Sequence, residues 1–176
     1  VAIAVTVAVE ADLPALADVA GRTFPLACPP SVTPENIVAF IDENLSQSRF
    51  RDYLADPDRA VLAARDEGRI VGYVMLIRGV PADSDVQLAV TLRPAVELSK
   101  MYVLPDSHGA GASAALMTAA LQRATDMDAK CVWLGVNQLN QRAQRFYTKY
   151  GFSINGTKTF QLGTGTENDY VMVRAL

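Results

Sequence analysis

Residues 97–121, ELSKMYVLPDSHGAGASAALMTAAL, constrain the fold of this chain more than any other stretch. Glu97 to Leu104 is apolar and aromatic with partial alternation, as in a strand half buried in a sheet. Pro105-Asp106-Ser107 stops it, because proline cannot donate to a sheet ladder and Asp and Ser favour turns. His108-Gly109-Ala110-Gly111-Ala112-Ser113 then uses only small residues after the histidine, and Ala114 to Arg123 is helical by propensity. A small-residue loop that enters a helix leaves backbone N–H groups unpaired at the positive end of the helix dipole. That end holds anions, most often phosphate. The same glycines would also serve a purely steric tight turn, and the loop alone leaves both readings open.

The 176 residues read as a single domain, 1–176, long enough to bury a core. Half are hydrophobic and a fifth charged, the balance of a globular protein. The net charge is −3, the pI is near 5.1 and no Lys/Arg cluster occurs, so nucleic acid is not an expected partner. A cationic substrate fits the balance better. Val1 to Val9 is apolar, but no basic residue precedes Arg22, so it reads as a first strand and not a signal segment. No apolar run approaches membrane-spanning length, and no membrane partner is expected. Cys28 and Cys131 make no disulfide framework, which points to the cytoplasm. No metal is expected.

Along the rest of the chain, Asp12 can cap a helix running to Gly21, followed by a connector from Pro25 to Pro30. Thr33-Pro34-Glu35 starts a second helix, and Phe50, Tyr53 and Leu54 mark a shorter third ending near Asp56-Pro57. Ala60–Ala64 and Ile70–Ile77 form a hairpin about Asp66-Glu67-Gly68. Pro81 to Leu92 reads as a polar loop. Lys130 to Val136 is a continuous apolar run suited to a strand covered on both faces. Asn140 can cap a helix from Gln141 to Tyr150 that Gly151 ends. Phe152–Phe160 and Asp169–Val173 close the chain as strands about the Gly163-Thr164-Gly165 turn. The order is mixed α/β, and the one helix between the strands at 97 and 130 makes that pair parallel.

Two segments carry a family resemblance. Residues 97–121 and Val132 to Phe152 resemble the two central motifs of the GNAT superfamily of N-acetyltransferases. In the first motif, a strand is followed by Arg or Gln, two residues, Gly, one residue, and Gly or Ala. It falls here on His108, Gly111 and Ser113, so this sequence departs at His108 and Ser113. The second motif, N-x-x-A-x-x-F-Y-x-x-x-G-F, is matched without a gap by Asn140, Ala143, Phe146, Tyr147, Gly151 and Phe152. The likeness extends to PaiA-type spermidine/spermine N-acetyltransferases through Thr23-Phe24, Pro34-Glu35-Asn36, Ile70 to Val74, Trp133 to Val136 and Phe160 to Met172. It is looser before residue 60 and between 80 and 95.

The resemblance implies a GNAT fold. That is a mostly antiparallel, twisted sheet of about seven strands, with a splayed parallel pair at its centre and helices on both faces. It implies acetyl-CoA as donor and a primary amine as acceptor, a polyamine or related small amine. A protein lysine or N-terminus, an antibiotic, or a coenzyme A sensor without catalysis are the alternatives, and a homodimer stays open. His108, Gly109, Ala110, Gly111, Ala112 and Ser113 would cradle the pyrophosphate. His108 would add a charge-assisted contact when protonated, or would simply be solvated. Backbone groups of Met101, Tyr102 and Val103 would hold the pantetheine arm, with Asn137, Asn140 and Lys149 also facing the cofactor. Tyr147 is the candidate general acid, or else a packed tyrosine. Glu97 is the candidate base, against a water chain or an ordinary ion pair with Lys100 or Arg69. Phe24, Glu35 and Tyr73 would meet the substrate. Cys131 as a nucleophile is set aside, since no histidine lies near it to activate the thiol.

Overall fold

A computed structural model describes residues 2–176, so the first residue of the expected Val1–Val9 strand lies outside them. The strands are β1 (Ile3–Val7), β2 (Arg59–Asp66), β3 (Arg69–Arg78), β4 (Ala95–Val103), β5 (Cys131–Asn137), β6 (Ser153–Leu162) and β7 (Gly165–Ala175). They form one seven-stranded sheet in the order β1-β2-β3-β4-β5-β7-β6. Around it pack α1 (Leu13–Ala27), α2 (Pro34–Asn44), α3 (Gln47–Ala55), α4 (Ser84–Ala89), α5 (Ala112–Asp126) and α6 (Gln141–Lys149). Neighbouring strands are antiparallel except β4 and β5, which α5 joins as a crossover. This is the mixed α/β architecture that the motif order implies.

The parallel pair is short. Only Ala95, Val96 and Glu97 face Cys131, Val132 and Trp133. Beyond Glu97, β4 continues on β3 alone while β5 continues on β7 alone, so the sheet forks. Ser99 is unopposed between Leu98 and Lys100 in the β3–β4 register, a bulge of the kind that bends and twists a strand. The fork is where the site lies.

Local chemistry explains most element ends. Thr33 Oγ1 accepts from the Asn36 amide at 3.2 Å with Pro34 beginning α2, and Ser46 Oγ accepts from the Arg49 amide at 3.1 Å at the start of α3. Glu67 and Gly68, at φ +52° and +83°, make the two-residue turn between β2 and β3.

Three segments differ from the sequence reading. Helix α1 runs through Pro25 to Ala27 instead of stopping at Gly21. Its last turns are held by the buried side chains of Thr23 and Phe24, and Phe24 stacks on Phe40 at 4.4 Å. Asp12 does not cap α1 with its side chain. Its carboxylate accepts from Arg65 at 2.7 and 3.1 Å and from the Val9 amide at 2.9 Å. The expected loop at 81–92 contains α4, capped by Asp83, whose Oδ1 accepts from the Asp85 amide at 2.8 Å. Val86, Ala89 and Val90 build a second small core there with Trp133, Val171 and Val173. The main core joins Leu13, Leu16 and Val19 of α1 to β2, β3 and Leu116, Met117 and Ala120 of α5. Among the described residues no helix is long and apolar enough to cross a membrane.

Candidate active site

A cavity of about 590 Å³ follows the fork. Gly111, Ser113 and Ala114 at the start of α5, with Arg142 of α6, line one end. Met101, Tyr102, Val103 and Tyr147 line the middle, and Phe24, Phe40 and Phe160 the other end. Its volume is that of a small-molecule site.

The first end is built by the loop before α5. A short 3₁₀ helix at Pro105–Ala110 is followed by Gly111 at φ +84°, a left-handed conformation that glycine adopts without strain. No side chain caps α5, so its first amides have no intrahelical partner. Their direction and the dipole favour an anion. Beside them the His108 ring bridges two elements. Nε2 lies 2.9 Å from the Val103 carbonyl oxygen and Nδ1 lies 2.9 Å from Nη2 of Arg142.

In the middle, Asn140 caps α6, its Oδ1 accepting from the Ala143 amide at 3.1 Å. The helix carries Tyr147 into the cavity wall, edge-on to Phe146 and Phe152 at 5.6 and 5.8 Å. Among the described residues its hydroxyl has no hydrogen-bond partner within the protein, and burial pushes its pKa up to about 12. The phenol therefore keeps its proton across the neutral range. Val103 to Leu98 have no strand partner on the β5 side, which leaves backbone groups of β4 facing the cleft.

Glu97 sits at the last parallel position, opposite Trp133, and lines the cavity. Burial raises its pKa, against the lowering pull of Lys100, Lys158 and Arg59. The same burial pushes Lys100 down to about 8. Among the described residues Glu97 forms no salt bridge, and Arg69 instead meets Asp106 at 3.6 Å. Across the cleft, Lys158 and Asp169 pair at 3.3 Å with both side chains largely buried. Asn137 Nδ2 donates to Glu167 at 3.1 Å.

Of the other residues the sequence singles out, Lys149 also lines the cavity. Gly109 and Ala110 lie in the 3₁₀ helix, and Ala112, fully buried, starts α5. Two of the residues expected to meet the substrate, Tyr73 and Glu35, do not line this cavity. Tyr73 is fully buried beneath Phe50 and Tyr102, with its hydroxyl unpartnered, and does not reach the cavity. Glu35 is exposed in the first turn of α2, where a carboxylate complements the dipole. Sequence reasoning missed Arg142, Phe40, Phe160, Lys158 and Asp169. The last two are register partners of β6 and β7, which alternation within those strands could have suggested. Cys28 enters the wall as well, but its thiol donates to the Phe24 carbonyl at 3.4 Å and burial pushes it up to about 11. Cys131 is buried and raised likewise, which makes neither a ready nucleophile.

Comparison with known proteins places this geometry among relatives. Residues 23–152 match the model of the "Acetyltransferase (GNAT) family". An uncharacterized N-acetyltransferase of Mycobacterium tuberculosis is 61% identical over 165 residues, covering 94% of this chain and 98% of that protein. The crystal structure of a PaiA N-acetyltransferase from Thermoplasma acidophilum in complex with coenzyme A superposes with a TM-score of 0.79 at 18% identity over 100% of both chains. The ribosomal-protein-S18-alanine N-acetyltransferase of Escherichia coli does so with a TM-score of 0.69 at 18% identity, over 99% of this chain and 94% of that one.

Proposed function

This chain belongs to the acetyltransferase (GNAT) family and is an acetyl-CoA-dependent N-acetyltransferase; from that premise we propose that its acceptor is a small primary amine with a single ammonium on an apolar body. The observation that carries this is the continuity of one cavity from the uncapped start of α5, past Tyr147 and Glu97, to the aromatic wall of Phe24, Phe40 and Phe160. Acetyl-CoA, when bound, supplies a thioester carbonyl that an amine can attack.

The residues present fit that donor. The free amides of Ser113 and its neighbours suit its phosphates, and the unpartnered edge of β4 suits its amide-bearing arm. Glu97 takes the proton of the acceptor ammonium, a task for which a partly buried carboxylate with a raised pKa is suited. The backbone N–H of Met101 supports the carbonyl oxygen. Tyr147, protonated up to about 12, gives its hydroxyl proton to the departing sulfur. With neither cysteine activated, attack is direct and relies on positioning.

The aromatic end favours an apolar body through burial, since Phe24 and Phe40 stack on each other and Lys158 lies 5.4 Å from the centre of the Phe160 ring. A polyamine needs further free carboxylates, yet Asp169 is neutralised by Lys158, which leaves only Glu167, hydrogen-bonded by the Asn137 amide, beside Glu97 among the carboxylates of the wall. Lys100 would also repel its remote charges. Two free cysteines suit a reducing compartment such as the cytoplasm.

Initial rates with acetyl-CoA and a panel of amines test the assignment. Alkyl or arylalkyl monoamines should give kcat/KM at least about tenfold above spermidine and above a peptide N-terminus, the scale of one unpaired charge contact. A peptide or spermidine in first place contradicts the acceptor class. Coenzyme A binding without turnover of any amine contradicts catalysis.

A further inference from the structure

The structure assigns to Arg142 the role of phosphate-gripping cation of the cofactor site, and to His108 that of the positioning residue that holds Arg142 there as a neutral ring. The inference rests on acetyl-CoA as the donor. It starts from two hydrogen bonds of the His108 imidazole, each 2.9 Å long. A carbonyl oxygen can only accept, so the Nε2 facing Val103 carries the hydrogen. A guanidinium can only donate, so the Nδ1 facing Arg142 carries none. Both contacts together are compatible with one state of the ring, the neutral Nε2–H tautomer. A protonated ring would set an N–H and a positive charge against the guanidinium.

Arg142 stands in the first turn of α6, solvent-facing, on the wall that also contains Gly111 and Ser113. Among the described residues it forms no salt bridge, and only its Nη2 is engaged. A cation with free donors in fork geometry beside uncapped helix amides matches a phosphate oxygen pair. The loop from Pro105 to Ser113 contains no Lys or Arg, so the charge beside it comes from the neighbouring helix. Val103, at the end of β4, anchors the ring from behind, so strand, loop and helix α6 are tied at one point.

His108 is the chain's only histidine, which makes the test direct. Nitrogen-15 correlation spectra of the full chain read the tautomer of a single imidazole, and titration calorimetry with coenzyme A reads the grip. The ring should carry its hydrogen on Nε2 and none on Nδ1. Arg142→Ala should raise the coenzyme A Kd about tenfold or more, with Arg142→Lys in between. His108→Ala should raise it severalfold alone but add nothing to Arg142→Ala, because it acts through that side chain. Thermal melts confirm that the variants are folded. An Nδ1–H ring, an unchanged Kd in Arg142→Ala, or additive losses overturn the assignment. A wild-type chain that fails to bind coenzyme A overturns the donor reading itself, and the clamp with it.

Discussion

Lys158 lies over Gly135 so closely that a Cβ added at Gly135 would come within 2.5 Å of Lys158 Cε and 3.1 Å of Asp169 Oδ2. Glycine at this point of β5 is therefore what allows the Lys158–Asp169 pair to occupy the cleft floor. The atom that must move ends a flexible side chain, so Gly135→Ala should fold. It should lose the ion pair and about 1–3 kcal/mol of stability, read by urea denaturation. The amine KM should rise while the coenzyme A Kd stays within twofold. Unchanged stability and KM would mean that the pair re-forms beside the methyl group.

Tyr147→Phe keeps the ring between Phe146 and Phe152 and removes only the hydroxyl. It should lower kcat about a hundredfold with little change in coenzyme A Kd, as for the loss of a proton donor. Equal losses in kcat and cofactor binding would make it a packing residue.

As the proposed base, Glu97 should set the acid limb of the pH–rate profile. Burial raises its pKa above the ordinary carboxylate value, so kcat/KM should rise with pH through a midpoint above that value. Lys100 pulls this pKa down, so Lys100→Met should move the midpoint to higher pH. Glu97→Gln should abolish the limb and cost about a hundredfold or more. A limb that survives Glu97→Gln assigns it to another group.

Asp12 ties the start of α1 to β2 through two hydrogen bonds from Arg65. That side chain, followed by the Val9 amide, holds the Asp12 carboxyl below its ordinary value against the opposing effect of burial. The folded chain thus binds this proton less readily than the unfolded one. The contribution is full above the unfolded value of about 3.9 and is lost as pH falls through the lower folded value. Asp12→Ala should cost about 2 kcal/mol at neutral pH, since one edge of Arg65 remains in water. The gap to wild type should shrink under acid, as urea melts at the two pH values would record.

Most of the fold was legible because its signals are local. Thr33-Pro34, Glu67-Gly68 and Asn140 with Gly151 mark element ends through caps and turns that need no tertiary context. The strand-loop-helix run from Glu97 likewise announces the amide cradle. The segments misread depend on distant partners. The last turn of α1 tolerates Pro25 because Phe24 is buried against Phe40, and α4 exists to cover Trp133 and Val171. The same holds in the site. Asn140 and Tyr147 belong to one unbroken motif, whereas Phe40, Phe160 and Arg142 meet the cavity only once helices and strands assemble. Tyr73 misleads for the reverse reason. An aromatic residue on β3 suits a pocket and a core equally well in sequence, and Phe50 and Tyr102 enclose it.

A crystal structure of this chain with coenzyme A tests the whole arrangement in one measurement. The phosphates should lie on the α5 amides next to Arg142, with the sulfur within about 3.5 Å of the Tyr147 hydroxyl and facing the aromatic end of the fork. A sulfur on the far side of β4, or amides of α5 bound to protein atoms with coenzyme A seated elsewhere, would contradict it.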